Sequence, residues 1–221
     1  MSKDYPFDPV KSFAAIAPLA TSPNVLVVAP ATGFKTLQSL VDAAKANPDA
    51  LAYGSVGVGS ASFMNAEMFR RSAGIKLLHV PFKGGGEATN EVLAGRVTLF
   101  FGSVATVQQH IKAGKLTALA VGTNTRVPQL PEVPTLAEAG TPNADYLFWI
   151  GLVASSKTPE PLLNLLAEGA RKASADPRTR QRLDELGYQN LTMTRPQFAT
   201  FIASEVARSA TIIRESGVKI E

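Results

Sequence analysis

The feature that most constrains the fold is a regular alternation of short apolar runs and amphipathic segments along residues 23–123. The run PNVLVVAP (23–30) is β-branched and bracketed by prolines, which is typical of a strand buried on both faces. A helix with Thr36 as its N-cap is predicted next, at 37–47. Further strands are predicted at 51–55, 76–82, 96–103 and 116–123, with helices at 60–74, 85–95 and 106–115. This alternation predicts an α/β domain with a parallel sheet flanked by helices.

The remainder of the chain has a different character. Residues 1–12 are an irregular lead-in, and a proline-rich loop after residue 123 contains a predicted short helix at 135–139. A second apolar run, LFWIGLVAS (147–155), predicts a strand. Three helical patterns follow it, and their predicted N-caps are Thr158, Asp176 and Thr194.

Composition narrows the classes of function. The 22 Lys and Arg residues exceed the 18 Asp and Glu residues by only four, and the basic residues are scattered. We therefore expect a mild bias toward anionic partners and no nucleic-acid partner. The chain has no cysteine and only two histidines, so we expect no disulfide, no metal site and no cofactor. No apolar run approaches the roughly 18 residues of a membrane span, and the first residues do not form a signal peptide.

The stretch YGSVGVGS precedes a predicted helix and is the first candidate for a binding site. Gly54, Gly57 and Gly59 permit close backbone approach, and Ser60 is a natural N-cap. Free N–H groups and the helix dipole together favour an anion. The P-loop lysine and the third glycine of a dinucleotide fingerprint are both missing. A structural turn that binds nothing remains the alternative.

Two further strand ends have the same small, polar character, and ligands of α/β sheets bind at such ends. In PFKGGG, Lys83 either pairs with an anion or is a solvated lysine on a loop. In FFGS, Ser103 is a candidate hydrogen-bond donor. Phe101 either packs on the carbon skeleton of a ligand or belongs with Phe100 in the core.

Catalytic patterns are weak throughout the chain. The nucleophile motif G-x-S-x-G is missing, and no carboxylate pair stands out. His79 lies inside the apolar stretch LLHVPF, which favours a core histidine over a catalytic base, and His110 lies on a predicted helix surface. We therefore expect binding without catalysis. The least favoured hypothesis is an enzyme that uses His79 or Lys83.

Five collinear segments carry a family resemblance. They are YPFDPVKSFAAIAPLATSPNVLVVAP, LAYGSVGVGSASFMNAEMF, KLLHVPFKGGGEATNEVLAGRVTLFFGS, IKAGKLTALAVGTNTRVPQLPEVPTLAEAG and WIGLVASSKTPEPLLNLL. In this order they resemble the extracytoplasmic solute receptors of tripartite tricarboxylate transporters, often called the Bug family. The first segment is similar to the lead-in and first cross-domain strand of that family.

The resemblance implies a type II periplasmic-binding-protein fold, in which two α/β domains close on a small organic anion, usually a carboxylate. Residues 24–147 match the complete second domain, while 1–23 and 148–221 match an incomplete first domain. The implied partners are this anion and the membrane subunits of the transporter. The ligand-binding positions carried over from the family are Ser55, Gly57, Gly59, Ser60, Ala61, Phe82, Lys83, Gly84, Phe101, Gly102 and Ser103.

The chain also departs from the family pattern. Family members begin with an export signal and a P-F-x-x-G-G loop, and this sequence begins with neither. We therefore expect an N-terminally truncated receptor, with apolar surfaces that favour a homodimer. The location is periplasmic by resemblance, and cytoplasmic if Met1 is the true start. The alternative function is a cytoplasmic or degenerate binding or regulatory module that has lost the transport role.

Overall fold

The computed structural model describes residues 6–218. In chain order the described strands are β1 (Phe13–Ser22), β2 (Asn24–Val28), β3 (Ala52–Ser55), β4 (Leu78–Pro81), β5 (Leu99–Ser103), β6 (Thr117–Val121), β7 (Phe148–Ser155) and β8 (Gln189–Asn190). The helices are α1 (Leu37–Ala46), α2 (Ala61–Ala73), α3 (Gly85–Leu93), α4 (Val104–Lys112), α5 (Glu160–Ala175), α6 (Pro177–Glu185) and α7 (Arg195–Ser216), with a 3-10 turn at Pro30–Thr32. The chain forms two compact units, one from Ser22 to Phe148 and the other from the residues outside that range.

The larger unit contains a five-stranded sheet in the order β4-β3-β5-β2-β6. Strand β3 runs parallel to β4 and β5, whereas β2 runs antiparallel to β5 and β6. The sheet is therefore mixed, and the prediction of a parallel sheet was wrong. Alternation of strands and helices predicts a parallel sheet only if strands joined by a helix become neighbours. Strands β2 and β3 are joined by α1 but are not neighbours in this sheet. Strand β2 lies between β5 and β6 instead, with all five of its residues buried.

Helices cover both faces of this sheet, as adjacent residues of β5 show. The ring of Phe101 packs edge-on against Phe69 of α2, with 6.0 Å between the ring centroids. Phe100 belongs instead to a buried cluster with Val92 of α3 and Val107 of α4. Because successive side chains of a strand point to opposite faces, one strand anchors both helical layers.

Most of the predicted helix starts are confirmed by side-chain caps. The side chains of Thr36, Asp176 and Thr194 accept hydrogen bonds from the first-turn N–H groups of α1, α6 and α7. Thr158 was the wrong choice for α5, because Pro159 occupies the N-cap position there and no side chain caps the helix.

The predicted short helix at 135–139 is also wrong. The N–H of Ala139 donates to the carbonyl of Thr135 at 3.0 Å, which closes a single turn. Gly140 follows in a left-handed conformation with φ of 95°. A positive φ cannot continue a right-handed helix, so the segment forms turns.

The smaller unit has a three-stranded sheet in the order β7-β1-β8 within the described residues. The periodicity of residues 13–22 did not predict β1, because Pro18 interrupts its apolar run. Helix α5 contributes Leu163 and Ala170 to a core with Ile16. Helix α7 places Phe198 edge-on against Trp149, at a centroid distance of 5.5 Å.

Candidate functional site

The carboxyl ends of β3, β4 and β5 lie side by side at the same end of the five-stranded sheet, which we call the loop edge, because β3 is parallel to both of its neighbours. Each strand leads into a helix, and the N-cap positions are Ser60 for α2, Gly84 for α3 and Ser103 for α4. The structure thus brings the three loops predicted from the sequence to the loop edge. The first N–H groups of a helix have no partner within the helix and carry a partial positive charge.

The β3–α2 loop (residues 56–60) is held by serine side chains on both sides. The Oγ of Ser55 accepts the N–H of Gly57 at 3.0 Å, and the Oγ of Ser62 accepts the N–H of Val56 at 3.1 Å. These bonds use the N–H groups at the start of the loop. They fix its path before the helix begins.

Two glycines give this loop its shape. Gly57 and Gly59 have φ of 99° and 82°, a region that favours glycine. Ser60 then ends the loop by donating to the carbonyl of Gly57 at 2.7 Å and accepting the N–H of Phe63 at 3.3 Å. The predicted N-cap at Ser60 is confirmed.

Four backbone N–H groups remain without an acceptor among the described residues, and they are those of Val58, Gly59, Ala61 and Ser62. We call these four groups the candidate anion site. The side chain of Val58 is 37% exposed, so the loop is open to solvent. Several free donors at a helix N-terminus form the arrangement that proteins use to bind carboxylates and phosphates.

The N-terminus of α3 already holds a carboxylate of its own chain. Glu87 accepts the N–H of Lys83 at 3.0 Å, and Gly84 at the N-cap position offers no side chain. The side chain of Lys83 is exposed. Phe82 is half-buried and packs against the backbone of Gly54, where a Cβ would lie 3.3 Å from its ring. This loop is therefore less available to an external anion than the β3–α2 loop.

The β5–α4 loop contributes less than the sequence suggested. Phe101 is 1% exposed and faces α2, so it is a core residue and cannot pack on a ligand at the loop edge. Gly102 is also buried, and a Cβ there would lie 2.5 Å from Val107, so a side chain would push α4 away. Ser103 alone reaches the loop edge, where its Oγ lies 2.7 Å from the Oγ1 of Thr106.

His79 of β4, which the sequence favoured as a core residue, contacts the start of the β3–α2 loop in a way that the sequence did not predict. Its ring stacks on Tyr53 at a centroid distance of 4.9 Å and meets Phe63 edge-on at 5.1 Å. Its Nε2 lies 2.6 Å from the Oγ of Ser55. The parallel register places Tyr53 opposite His79, and this register is not readable from a single sequence. Burial lowers the pKa of His79 below its usual value, which favours the neutral ring.

A buried ion pair lies behind this histidine. The Tyr53 hydroxyl donates to Glu67 at 2.8 Å, and Arg70 donates to both carboxylate oxygens of Glu67. Burial, followed by the charge of Glu67, raises the pKa of Tyr53 well above its usual range. The cluster pairs the charge of Glu67 with that of Arg70, and the bond from Tyr53 to Glu67 joins β3 to α2.

Residues 6–218 also bear on two other kinds of site. Groups of three or more His, Asp or Glu side chains able to hold a metal ion do not occur there. Nor is any helix in that range both long and apolar enough to cross a membrane.

Comparison with known proteins gives one family. The model of a family described as "Tripartite tricarboxylate transporter family receptor" matches residues 1–218. Six curated proteins from species of Pseudomonas, Bordetella, Agrobacterium and Cupriavidus match 95–99% of the chain at 25–35% identity. The chain spans 62–68% of the length of these relatives.

Solved structures give the same fold. Rpa4515 of R. palustris with adipate has a TM-score of 0.87 at 25% identity, covering 98% of this chain and 73% of its own. MatC (Rpa3494) of Rhodopseudomonas palustris with bound malate has a TM-score of 0.83 at 26% identity, covering 95% and 72%. The periplasmic binding protein BugD has a TM-score of 0.86 at 27% identity, covering 100% and 75%. The predicted α/β fold class is confirmed.

Proposed function

The chain belongs to the tripartite tricarboxylate transporter receptor family, as its sequence segments predicted, and from that premise we propose that it binds a small carboxylate at the candidate anion site. The observation that carries this proposal is the set of four N–H groups, from Val58, Gly59, Ala61 and Ser62, left open at the N-terminus of α2. Each N–H bond to a carboxylate is charge-assisted, and the helix dipole adds to the attraction.

The ligand class is supported by the structural relatives. Adipate and malate, the ligands of Rpa4515 and MatC, are both small dicarboxylates. Both proteins have the fold of this chain at TM-scores above 0.8. We therefore take linear C4–C6 dicarboxylates as the first ligands to test.

The predicted site residues take unequal parts in this proposal. Gly57, Gly59, Ser60 and Ala61 shape or provide the donors, and Ser55 supports the loop from below. Outside this loop, Gly84 at the start of α3 and Ser103 at the start of α4 remain candidates for contacts with a second carboxylate. Lys83 offers a mobile positive charge at the loop edge.

Calorimetric titration with malate and adipate tests the proposal. We expect saturable binding of at least one of them, weakened only modestly by salt because backbone donors supply most of the contacts. Methyl esters of the same acids, which lack the negative charge, should not bind. Failure of a set of C4–C6 mono- and dicarboxylates to bind, while the chain unfolds cooperatively, would contradict the proposal.

The physiological role that fits this binding is that of a receptor. A solute receptor of this family delivers its ligand to the membrane subunits of a transporter. We propose that this protein does so in the periplasm and that it catalyses no reaction. Support comes from the family, which is described as a receptor, and from its periplasmic relative BugD.

The smaller unit supports a second copy of this chain as a partner. Strand β7 is an edge strand with neither charge nor proline, and its Leu152 and Val153 are 44% and 46% exposed. On α5, Leu165 is 68% exposed. Uncharged apolar edge strands readily pair with another strand, and antiparallel pairing of two β7 strands would cover both edges about a two-fold axis.

Sedimentation velocity over a range of protein concentrations tests this pairing. We expect a dimer that dissociates on dilution and that Leu152→Lys converts to a monomer, because a charge on the edge opposes pairing. Gln181→Lys on the exposed α6 adds the same charge elsewhere and should leave the dimer unchanged. A monomer at the highest concentration would rule the pairing out.

A further inference from the structure

The contact between Ser55 and His79 has the geometry of a catalytic serine and its base, since Oγ and Nε2 lie 2.6 Å apart. Its surroundings do not suit a nucleophile. Ser55 is 0% exposed, and its Oγ already accepts the N–H of Gly57. A reacting carbonyl cannot approach an oxygen that is fully enclosed, so the pair must serve another purpose.

The hydrogen-bond inventory of Ser55 fixes the direction of this contact. A serine hydroxyl has one hydrogen to donate and two lone pairs that accept. One lone pair receives the N–H of Gly57, which is a donor only. Among the described residues, Nε2 of His79 is the sole acceptor within reach of the Ser55 hydrogen. A buried donor without an acceptor is costly, so the hydroxyl donates to Nε2 and the ring carries its proton on Nδ1.

We infer that His79 is a positioning residue for the candidate anion site: as a neutral Nδ1–H ring it accepts the Ser55 hydroxyl, which turns a lone pair of Oγ toward Gly57 and so sets the β3–α2 loop. This inference rests on the proposed carboxylate site. It extends that proposal to a side chain that makes no contact with the ligand.

The surroundings of His79 fit this role. Tyr53 and Phe63 hold its ring on two sides, which leaves little freedom to turn Nε2 away from Ser55. Burial opposes the charged ring, while Glu67 of α2 favours it. The negative charge of Glu67 is itself paired with the positive charge of Arg70. The balance keeps the ring neutral at physiological pH, as an acceptor must be.

Two substitutions separate an acceptor from a packing residue. His79→Phe keeps an aromatic ring between Tyr53 and Phe63 but removes the acceptor. His79→Gln keeps a side-chain oxygen that can accept from Ser55 but removes the ring. We expect malate to bind about tenfold more weakly to His79→Phe. Without its acceptor, the buried Ser55 hydroxyl turns away from the orientation that holds Gly57, and part of the binding free energy is used to restore it. His79→Gln should stay within about threefold of the wild type although it loses thermal stability.

A double-mutant cycle adds the second step of the argument. Ser55→Ala should weaken binding as much as His79→Phe, and the double variant should bind no more weakly than Ser55→Ala alone, because both residues act through one hydroxyl. A core-packing role for His79 predicts the reverse order of effects, with Gln harmful to binding and Phe tolerated. That order, or additive losses in the cycle, would overturn the inference.

The ring tautomer gives a readout that needs no ligand. In the free protein at pH 7.5, nitrogen NMR of labelled histidine should show Nδ1 protonated and Nε2 unprotonated for His79, and Ser55→Ala should release this preference. A proton on Nε2 overturns the inference whether or not malate binds. Failure of the wild type to bind dicarboxylates, with the Nδ1–H tautomer present, would instead overturn the carboxylate site and any part His79 has in it.

Discussion

Replacing Arg70 by methionine is expected to lower the free energy of unfolding by about 3–5 kcal/mol. Glu67 has only 3% of its side chain exposed, and Arg70 grips both of its carboxylate oxygens. Without Arg70, the carboxylate of Glu67 keeps the hydrogen bond from Tyr53 but loses its ion pair. The folded state is then destabilised by an unpaired buried charge, unless the carboxylate takes up a proton. Urea denaturation at pH 7.5 measures the loss.

A matched ion pair on the surface serves as the control. On α5, Arg171 meets Glu168 three residues earlier at 2.7 Å, the same spacing and distance as in the buried pair, but with side chains 65% and 45% exposed. Arg171→Met should cause only a small fraction of the loss seen in Arg70→Met, because solvent screens the exposed pair. In the buried pair, a further Glu67→Gln change in Arg70→Met should recover part of the loss. Equal losses for Arg70→Met and Arg171→Met would show that burial of the pair is unimportant.

Replacing Gly57 by alanine is expected to weaken malate binding by about fivefold to thirtyfold. At φ of 99° the glycine holds a conformation that costs a residue with a Cβ roughly 1–2 kcal/mol. The free variant escapes this strain by shifting the loop, which misdirects the N–H groups of Val58 and Gly59. Binding must then restore the strained loop, so the strain appears as lost affinity in calorimetry.

Gly33 provides a control with the same backbone requirement. Its φ is 76°, and, as at Gly57, a Cβ would meet no atom within 4 Å. Gly33→Ala meets the same kind of backbone strain outside the β3–α2 loop, and it should leave malate affinity within about twofold of the wild type. If the two alanine variants lose the same affinity, then backbone strain in general, and not the β3–α2 loop, governs binding.

The sequence alone was sufficient to predict the helices and strands of the larger unit, but not the order in which its strands pair. Apolar periodicity and caps such as Thr36 mark helices and strands locally, because those signals act over a few residues. The antiparallel insertion of β2 depends on which strands become neighbours. That pairing is decided by long-range contacts which periodicity does not encode. Strand β1, interrupted by Pro18, lacked even the local signal.

The candidate site was predictable to the same degree. The positive φ angles of Gly57 and Gly59 and the N-cap at Ser60 agree with the sequence prediction, because both follow from local backbone chemistry. Phe101 was misjudged because helices cover both faces of β5, so both of its phenylalanines are buried. The contact between His79 and Ser55 was not predicted, because it crosses from one strand to the next.

The most direct test of the central claim is an amide NMR titration of the labelled chain with malate. Hydrogen bonds to a carboxylate should produce the largest shift changes at the N–H groups of Val58, Gly59, Ala61 and Ser62, saturating at the affinity that calorimetry gives. Gly57→Ala should diminish these changes and Gly33→Ala should not. Saturable binding with these four amides unmoved, or with the largest changes outside the unit from Ser22 to Phe148, would contradict the account.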